Sequence, residues 1–370
     1  MDFQGHVLSE RATTLPGRYY TSPEVFARER ERIFSRRWVC VGRSSELARP
    51  GDYLCPLVSG ESVIVIRGKD ARTRAFYNVC RHRGTRICSE ERGHVAGGLT
   101  CPYHGWTYGL DGALLGAPLM GEVAWFEKAD YPLHPAALEE WEGFLFVNLE
   151  SRAAPGLGEA LGPLAGRFAP WRLPELQTAR RIEYDVKTNW KLVFQNFSEC
   201  YHCPPVHPAL ARISHYRSGA NDLREGGLLG GYMAINEGTE SLTLSGRHCG
   251  APISDLPAEE LRRVYYYSIF PSLFLTIQAD FVMATRLEPL AVDRTKITAE
   301  WLFSPETAAA PGFDPSDGVE LWDLTNRQDW RMCELAQEGV SSRAYRPGLY
   351  SADESLLAAF DKEYLAALDA

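Results

Sequence analysis

Two short segments, each with one cysteine and one histidine, constrain this chain more than any other feature. They are Cys80-Arg81-His82-Arg83-Gly84 and Cys101-Pro102-Tyr103-His104-Gly105-Trp106. A C-x-H pair and a C-x-x-H pair together offer two thiolates and two imidazoles, which suits a mixed-ligand [2Fe–2S] cluster. A structural zinc site is the alternative, although such sites more often place one residue type in each half. The mixed pairs favour the cluster.

Composition and charge narrow the class of protein. The 370 residues are 45% hydrophobic and 24% charged, which is ordinary for a globular protein of about two domains. The net charge of −9 comes without a basic block, so we expect no nucleic-acid partner. No apolar run is long enough to predict a membrane span. The N-terminus lacks a signal-peptide pattern, and the odd number of cysteines outside the two pairs predicts free thiols, so we expect a cytoplasmic protein.

The pattern of the first part of the chain predicts a helix followed by short strands. Residues 22–37 are predicted as a helix, with Ser22 as the N-cap and Pro23 in the first turn. From residue 38 to 150, apolar runs separated by Gly and Pro predict a small antiparallel β domain. One of its strands is predicted over 141–148. The two cysteine–histidine pairs would lie on loops at the tip of this domain.

The rest of the chain has the pattern of a larger α+β domain. A linker with a short helix near 157–168 is expected first. A helix beginning near Trp190 then precedes strands over 264–269, 273–278, 281–287 and 296–303, whose order suggests a meandering antiparallel sheet. A long helix is predicted over 321–337, with Gly339 as its terminator.

The segment from Asn196 to His207 contains a second candidate metal site. Asn196, Glu199 and His202 are spaced by three and would share a helical face. A Pro-Pro dipeptide between the two histidines breaks the helix and can return His207 toward His202. Two histidines with one carboxylate form the usual ligand set of a ferrous site that activates O2. Taken alone, H-x4-H is a weak signal, and two structural or surface histidines are the alternative.

The carboxylate of that ligand set can be sought on the long helix. Asp329 shares a face with Trp322 and Met332, whereas Asp323 and Glu334 are rotated away from it. A buried carboxylate needs a partner, and a metal ion is a good one. Asp329 is therefore the predicted third ligand.

These motifs resemble those of a known family. C-R-H-R-G…C-P-Y-H-G-W resembles the Rieske motif of Rieske-type non-haem iron oxygenase α subunits, and N-F-x-E-x-Y-H-x4-H resembles the mononuclear iron motif of the same family. The resemblance implies two sets of metal ligands: Cys80 and Cys101 on one iron of the cluster, His82 and His104 on the other, and His202, His207 and Asp329 on a mononuclear Fe(II). It also implies an α+β fold in which a small antiparallel β Rieske [2Fe–2S] domain (38–150) is inserted in a helix-grip catalytic domain with an antiparallel sheet (151–370). Residues 1–37 would form a helical segment packing on the catalytic domain.

The resemblance further implies partners. In the family, an acidic residue at the position of Glu199 links the cluster of one subunit to the mononuclear iron of a neighbour, which implies a homotrimer. Electrons would come from NAD(P)H through a separate flavin/iron–sulfur reductase, with O2 as co-substrate. Glu199 and Asn196 are the predicted catalytic residues besides the metal ligands. The alternative for Glu199 is that it only orients His202.

Within the family, the run E-C-Y-H-C-P-x-V-H-P and Glu199 resemble the glycine betaine, choline and carnitine branch. This implies N-demethylation or hydroxylation of a small quaternary ammonium compound such as glycine betaine. Aromatic side chains bind methylated ammonium groups, and the candidates are Trp322, Tyr265, Tyr267, Phe270 and Phe274, although core packing would also explain aromatic residues on strands. An aromatic-ring hydroxylase or O-demethylase is the alternative within the family. A Rieske electron-transfer protein without oxygenase activity is the alternative outside it, and it would not need the second metal site.

Overall fold

The computed structural model describes residues 8, 11–150, 152, 155–253 and 256–370. The chain forms two compact units, one comprising Phe34–Ala160 and the other Met1–Ile33 together with Leu161–Ala370. Residues 1–7, 9 and 10 of the predicted N-terminal segment lie outside the described residues. Within the part of the chain that the structure describes, we find no helix with the length and apolar character needed to cross a membrane.

The helices follow the predicted pattern with altered ends. In chain order they are α1 (Arg18–Thr21), α2 (Pro23–Glu29), α3 (Leu157–Ala160), α4 (Trp190–Phe197), α5 (Cys203–Val206), α6 (Pro208–Ile213), α7 (Pro305–Ala308), α8 (Ser316–Val340) and α9 (Ser355–Asp369). Ser22 caps α2 by accepting a hydrogen bond from the backbone N–H of Val25 at 3.2 Å, and a π-helical turn over Arg30–Phe34 follows α2. Gly339 lies inside α8 and does not terminate it.

The smaller unit is an antiparallel β structure, as predicted. Its strands are β1 (Val39–Arg43), β2 (Asp52–Leu54), β3 (Leu57–Val58), β4 (Glu61–Arg67), β5 (Thr73–Tyr77), β6 (Arg92–His94), β7 (Leu99–Thr100), β8 (Thr107–Tyr108), β9 (Leu114–Gly116), β10 (Pro135–Trp141) and β11 (Phe144–Asn148). The main sheet has the order β1-β11-β10-β5-β4-β2-β6 with β3 beside β4, and β7-β8-β9 form a second sheet. The single strand predicted over 141–148 is wrong, because Glu142 and Gly143 form a tight turn with positive φ, and Trp141 pairs with Phe144.

The larger unit is built on one seven-stranded antiparallel sheet. Its strands are β12 (Gln177–Val186), β13 (Ala220–Glu225), β14 (Leu228–Ala234), β15 (Arg263–Ile269), β16 (Leu273–Ile277), β17 (Val282–Ala291) and β18 (Arg294–Phe303), in the order β12-β18-β17-β16-β15-β14-β13. The predicted meander corresponds to β15–β18. The α+β fold class is confirmed for the chain.

The helix α4 is fixed from two sides. On one side α4 meets α8. In the turn before α4, Thr188 Oγ1 donates to the backbone oxygen of Cys333 of α8 at 3.0 Å. On the other side Lys191 Nζ donates to Glu29 Oε1 of α2 at 2.5 Å, and both side chains are fully buried. A buried ion pair of this kind is strongly destabilised when only one partner is removed. These contacts hold the end of α4, from which the second candidate metal site begins.

Candidate metal centres and cavity

The two cysteine–histidine segments of the smaller unit adopt the same turn. The backbone N–H of Gly84 donates to the carbonyl oxygen of Cys80 at 3.0 Å, and the N–H of Gly105 donates to that of Cys101 at 3.1 Å. Both glycines have positive φ, 75° and 71°. A residue with a side chain adopts this conformation only with strain, so glycine is required at the same place in each turn.

The donor groups of these two turns face one another. The ring centroids of His82 and His104 are 4.7 Å apart, and His82 also stacks on Trp106 at 4.9 Å. The thiols of Cys80 and Cys101 are buried, whereas His82 is exposed and His104 is half-buried. Two inner sulfur donors and two outer nitrogen donors fit a mixed-ligand cluster with its histidine edge toward the outside.

The surroundings of the Cys101 sulfur also fit a metal-bound thiolate. Burial raises the pKa of the Cys101 thiol, and the nearby Cys80 thiol raises it further. The backbone N–H groups of Tyr103 and His104 donate to this sulfur and act in the opposite direction. Such N–H groups stabilise a thiolate, which is the form that binds a metal ion.

The second candidate centre brings three donor atoms to one point in the larger unit. His202 Nε2 and His207 Nε2 are 3.2 Å apart, and Asp329 Oδ1 lies 3.1 Å from the first and 2.8 Å from the second. Two imidazoles and one carboxylate at such mutual distances can occupy one face of a single metal ion. His202 precedes α5, His207 lies between α5 and α6, and Asp329 comes from α8.

The other ring nitrogen of each histidine has its own partner. His202 Nδ1 lies 2.5 Å from Glu199 Oε1, and His207 Nδ1 lies 2.9 Å from Gln328 Oε1. Both partners are acceptors, so each Nδ1 carries a hydrogen and each Nε2 faces Asp329 Oδ1. Glu199 and Gln328 thus orient both histidines so that Nε2 is the atom available to a metal ion. Gln328 was not among the predicted site residues, although its place before Asp329 was a signal for it.

Electrostatics at this centre favour a positive occupant. Burial lowers the pKa of His202, but hydrogen bonds with Asp329 and Glu199 outweigh it and raise that pKa to about 10. Burial raises the pKa of Asp329, and its bonds to His202 and His207 outweigh this effect and lower it. Asn196 Nδ2 donates to Asp329 Oδ1 at 3.1 Å. A metal ion would replace the proton that holds these groups together.

The chain reaches this geometry by a route that differs from the predicted one. The helix α4 ends at Phe197, so Asn196, Glu199 and His202 do not share a helical face. Instead, the chain turns after Glu199, and the Glu199 carboxylate accepts hydrogen bonds from the backbone N–H groups of Tyr201 and His202.

Two cysteines in this segment are bonded to each other. The sulfur atoms of Cys200 and Cys203 form a disulfide, so the expectation that all cysteines outside the two pairs are free thiols is wrong for these two. The Cys203 sulfur lies within 4.8 Å of donor nitrogens of His202 and His207. Because that sulfur is already bonded, Asp329 is the better third donor.

A cavity of about 110 Å³ adjoins the three donor residues. Ligand sites for larger organic molecules are roughly 300–1,000 Å³, so this cavity suits a small ligand. Its walls come from the segment 196–203, from β14, β15 and β17, and from α8. Seven aromatic residues line it: Phe197, Tyr201, Tyr216, Tyr232, Tyr266, Trp322 and Trp330.

Of the five predicted substrate-binding aromatic residues, only Trp322 lines this cavity. Tyr266 does so in place of Tyr265 and Tyr267, because successive side chains of β15 point to opposite faces of the sheet. Phe270 and Phe274 are packed in the core, where both contact Phe194. Three consecutive tyrosines give no alternation of residue type, so the sequence did not show which of them meets the cavity.

Comparison with protein families assigns both parts of the chain. Residues 37–127 match the Rieske [2Fe-2S] domain, and residues 173–370 match the catalytic domain of the ring-hydroxylating alpha subunit. The second match covers more than half of the chain.

Comparison with curated proteins and solved structures agrees. The chain is 32% identical to the glycine betaine monooxygenase oxygenase subunit of Chromohalobacter salexigens, over 91% of this chain and 82% of that protein. It is 32% identical to the carnitine monooxygenase oxygenase subunit of Escherichia coli K12, over 94% and 89%. The structure of the quaternary ammonium Rieske monooxygenase CntA with an inhibitor superposes with a TM-score of 0.83 at 29% identity, over 99% of this chain and 98% of that one.

Proposed function

We infer that this chain, which belongs to the ring-hydroxylating oxygenase α subunits with a Rieske [2Fe–2S] domain, oxidises a small quaternary ammonium compound such as glycine betaine. It is a Rieske non-haem iron oxygenase that works with a [2Fe–2S] cluster, a mononuclear iron, O2 and a reductase. The substrate class is our proposal. The observation that carries it is the small aromatic cavity beside His202, His207 and Asp329.

The geometry above supports our proposal for the residues that would hold the cofactors. We assign Cys80, His82, Cys101 and His104 to the cluster and His202, His207 and Asp329 to the mononuclear iron. When bound, the two groups supply electron transfer and O2 activation. The remaining chemistry depends on how the chain binds and orients the substrate.

The cavity can bind a trimethylammonium group by its aromatic faces. Trp322 and Tyr266 approach with ring centroids 6.2 Å apart, and Phe197 lies 6.3 Å from Tyr266 on the same wall. A cation near such faces gains about 0.5–2 kcal/mol for each good contact when water is excluded. A methyl carbon of the bound group would then face the three donor residues, which sets the position that is oxidised.

The proposed reaction is an N-demethylation. One atom of O2 enters a C–H bond of a methyl group, and the other is reduced to water by two electrons and two protons. The hydroxymethyl group then loses its O–H proton and leaves as formaldehyde when the C–N bond breaks, and the electron pair of that bond stays on nitrogen. For glycine betaine the products are dimethylglycine, formaldehyde and water, with NADH oxidised to NAD⁺ in the reductase.

We propose a homotrimer in which Glu199 lies between the iron of one subunit and the cluster of the next. The contact of its carboxylate with His202 Nδ1 supports this role, because a charged partner of a metal-bound histidine can link it to a second histidine. Inter-subunit electron transfer is named for a related quaternary ammonium Rieske monooxygenase. Sedimentation velocity of the iron-loaded protein tests the assembly, and a monomer at working concentration would refute it.

Substrate-dependent O2 and NADH consumption tests the function. The iron-loaded protein is assayed with a surrogate reductase on glycine betaine, choline, carnitine and simple aromatic acids, and formaldehyde and hydroxylated products are quantified. Formaldehyde formed in step with O2 uptake from a quaternary ammonium compound is the expected result. Turnover of an aromatic acid alone would favour the ring hydroxylase or O-demethylase instead.

A further inference from the structure

We propose that Arg217 binds a carboxylate of the substrate and thereby selects quaternary ammonium acids over quaternary ammonium alcohols. Arg217 lies in the segment after α6 and lines the same cavity as the three donor residues. This inference rests on the proposed function and assigns a residue to the choice among quaternary ammonium compounds.

The charges of the cavity wall point to Arg217. Among the described residues that line the cavity, Arg217 is the single Lys or Arg, whereas Glu199, Asp329 and Asp353 are acidic. An anionic group of a ligand therefore has one cationic side chain to meet. A carboxylate placed elsewhere on this wall would meet aromatic rings, neutral polar side chains or other carboxylates, and none of these is a cationic side chain of Lys or Arg.

The geometry of Arg217 leaves donors available. Its Nε and Nη2 both donate to Asp353 Oδ2, at 3.0 Å and 2.5 Å. A guanidinium has five N–H groups, so this pair uses two of them and leaves three. Nη1 has no hydrogen-bond partner among the described residues. A carboxylate can therefore bind the guanidinium while Asp353 stays in place.

Asp353 acts as the orienting partner of this guanidinium. Its side chain is 14% exposed, whereas that of Arg217 is 50% exposed, so the carboxylate lies behind the cation. The guanidinium also lies 5.3 Å above the ring of Tyr216, which limits its movement. A long, flexible side chain held in this way loses less entropy when it binds a ligand.

The charge distribution suits a zwitterion with one orientation. A ferrous ion would carry two positive charges, which the carboxylates of Asp329 and Glu199 balance. The aromatic side chains that line the cavity can then bind an ammonium group without repulsion from the metal centre, and Arg217 donates hydrogen bonds to the carboxylate. A quaternary ammonium alcohol offers Arg217 only a neutral hydroxyl oxygen as acceptor, so it lacks the stronger hydrogen bond between two charged groups.

The test compares two ligands that differ in one charge. Glycine betaine and its methyl ester are titrated calorimetrically, without O2, into the iron-loaded protein and into its Arg217→Gln variant. The wild type should bind the betaine about 10-fold more tightly than the ester, at the low end for a charged hydrogen bond because Arg217 is half exposed. Arg217→Gln should remove most of this preference and leave the affinity for the ester within about twofold of the wild type.

A matched control separates charge from position. Arg212 is an exposed arginine of α6 that does not line the cavity, so Arg212→Gln removes the same charge from the same segment. It should keep the wild-type preference. Equal weakening of both ligands by Arg217→Gln would assign the Arg217–Asp353 pair a structural role and overturn the proposal, and so would an unchanged preference.

A second variant covers the case in which Arg217→Gln does not fold. Asp353→Asn keeps the guanidinium and removes the carboxylate that orients it, so the preference for the betaine should fall severalfold. An unchanged ratio in this variant would contradict the proposal. If the wild type turned over only aromatic acids, the proposed function itself would fail, whereas equal turnover of betaine and choline would refute only the role of Arg217.

Discussion

A buried carboxylate behind α4 allows a quantitative test of how the larger unit is held together. Asp361 of α9 is 6% exposed and accepts hydrogen bonds from Gln195 Nε2 at 2.7 Å and from Tyr350 Oη at 2.8 Å. Burial raises the pKa of Asp361 from 3.8 to about 7, although these bonds and the charge of Lys191 act against it. The folded protein therefore keeps a proton that the unfolded chain releases.

The sign of the pH dependence follows from this raised pKa. Between pH 3.8 and about 7 the folded state binds one proton more than the unfolded state at Asp361, so the stability it contributes falls as the pH rises. The contribution is complete below pH 3.8 and lost above about 7. Each pH unit in this window corresponds to about 1.4 kcal/mol.

The variant Asp361→Asn removes this titration and keeps the shape of the side chain. Its stability relative to the wild type should increase by about 3 kcal/mol between pH 5 and pH 8. About two pH units of this range lie below the pKa of Asp361, and the wild type loses about 1.4 kcal/mol over each of them. The altered hydrogen bonds to Gln195 and Tyr350 shift this difference equally at both pH values. At about 2–4 °C per kcal/mol, the gap in melting temperature should widen by about 6–12 °C.

Thermal unfolding at pH 5, 6, 7 and 8 measures this difference at one scan rate. Asp293→Asn, in the exposed turn between β17 and β18, is the control for the loss of a surface carboxylate and should show no such trend. A difference between Asp361→Asn and the wild type that stays constant with pH would refute the reasoning. It would mean that Asp361 is ionised in the folded protein throughout this range.

Three further predictions concern the second metal centre. Glu199→Gln should leave cluster and iron bound but lower product formation by about 100-fold, as measured by iron content and single turnover; near-wild-type turnover would exclude a role in electron transfer. Asp329→Ala should lose the mononuclear iron and keep the visible spectrum of the cluster, whereas Asp323→Ala on the same helix should keep both. Gln328→Leu should weaken Fe(II) binding about 10- to 100-fold in a metal titration, because the orientation of His207 is lost; unchanged binding would show that the protein holds His207 without it.

The features that could be predicted from sequence are those whose geometry is local. The turns that carry Cys80 and Cys101 depend on a glycine four residues after each cysteine, and spacing alone reveals this. The position of Asp329 follows from helical periodicity along α8. The meander β15–β18 could also be predicted, because each of its strands has its own apolar run.

Features that depend on distant pairing could not be predicted in this way. The strands β13 and β14 contain little apolar alternation, and Gly230 and Gly231 leave no side chain to indicate a face. Added β-carbons at these glycines would lie about 2 Å from the backbone oxygens of Tyr266 and Ala220. The close approach of the neighbouring strands therefore requires glycine at both positions. The choice of Tyr266 over Tyr265 and Tyr267 depends on which face of the sheet meets α8, and this is a property of the fold.

The two histidines of the second centre are oriented by partners of different charge, and this difference bears on the substrate. Asp329 and the carboxylate of Glu199 on His202 balance the two charges of a ferrous ion. A carboxylate in place of Gln328 beside the buried His207 would leave an excess negative charge, which is costly away from water. The neutral amide orients His207 and adds no charge. A balanced metal centre neither attracts nor repels an ammonium group, so selection among quaternary ammonium compounds falls to the aromatic walls and to Arg217.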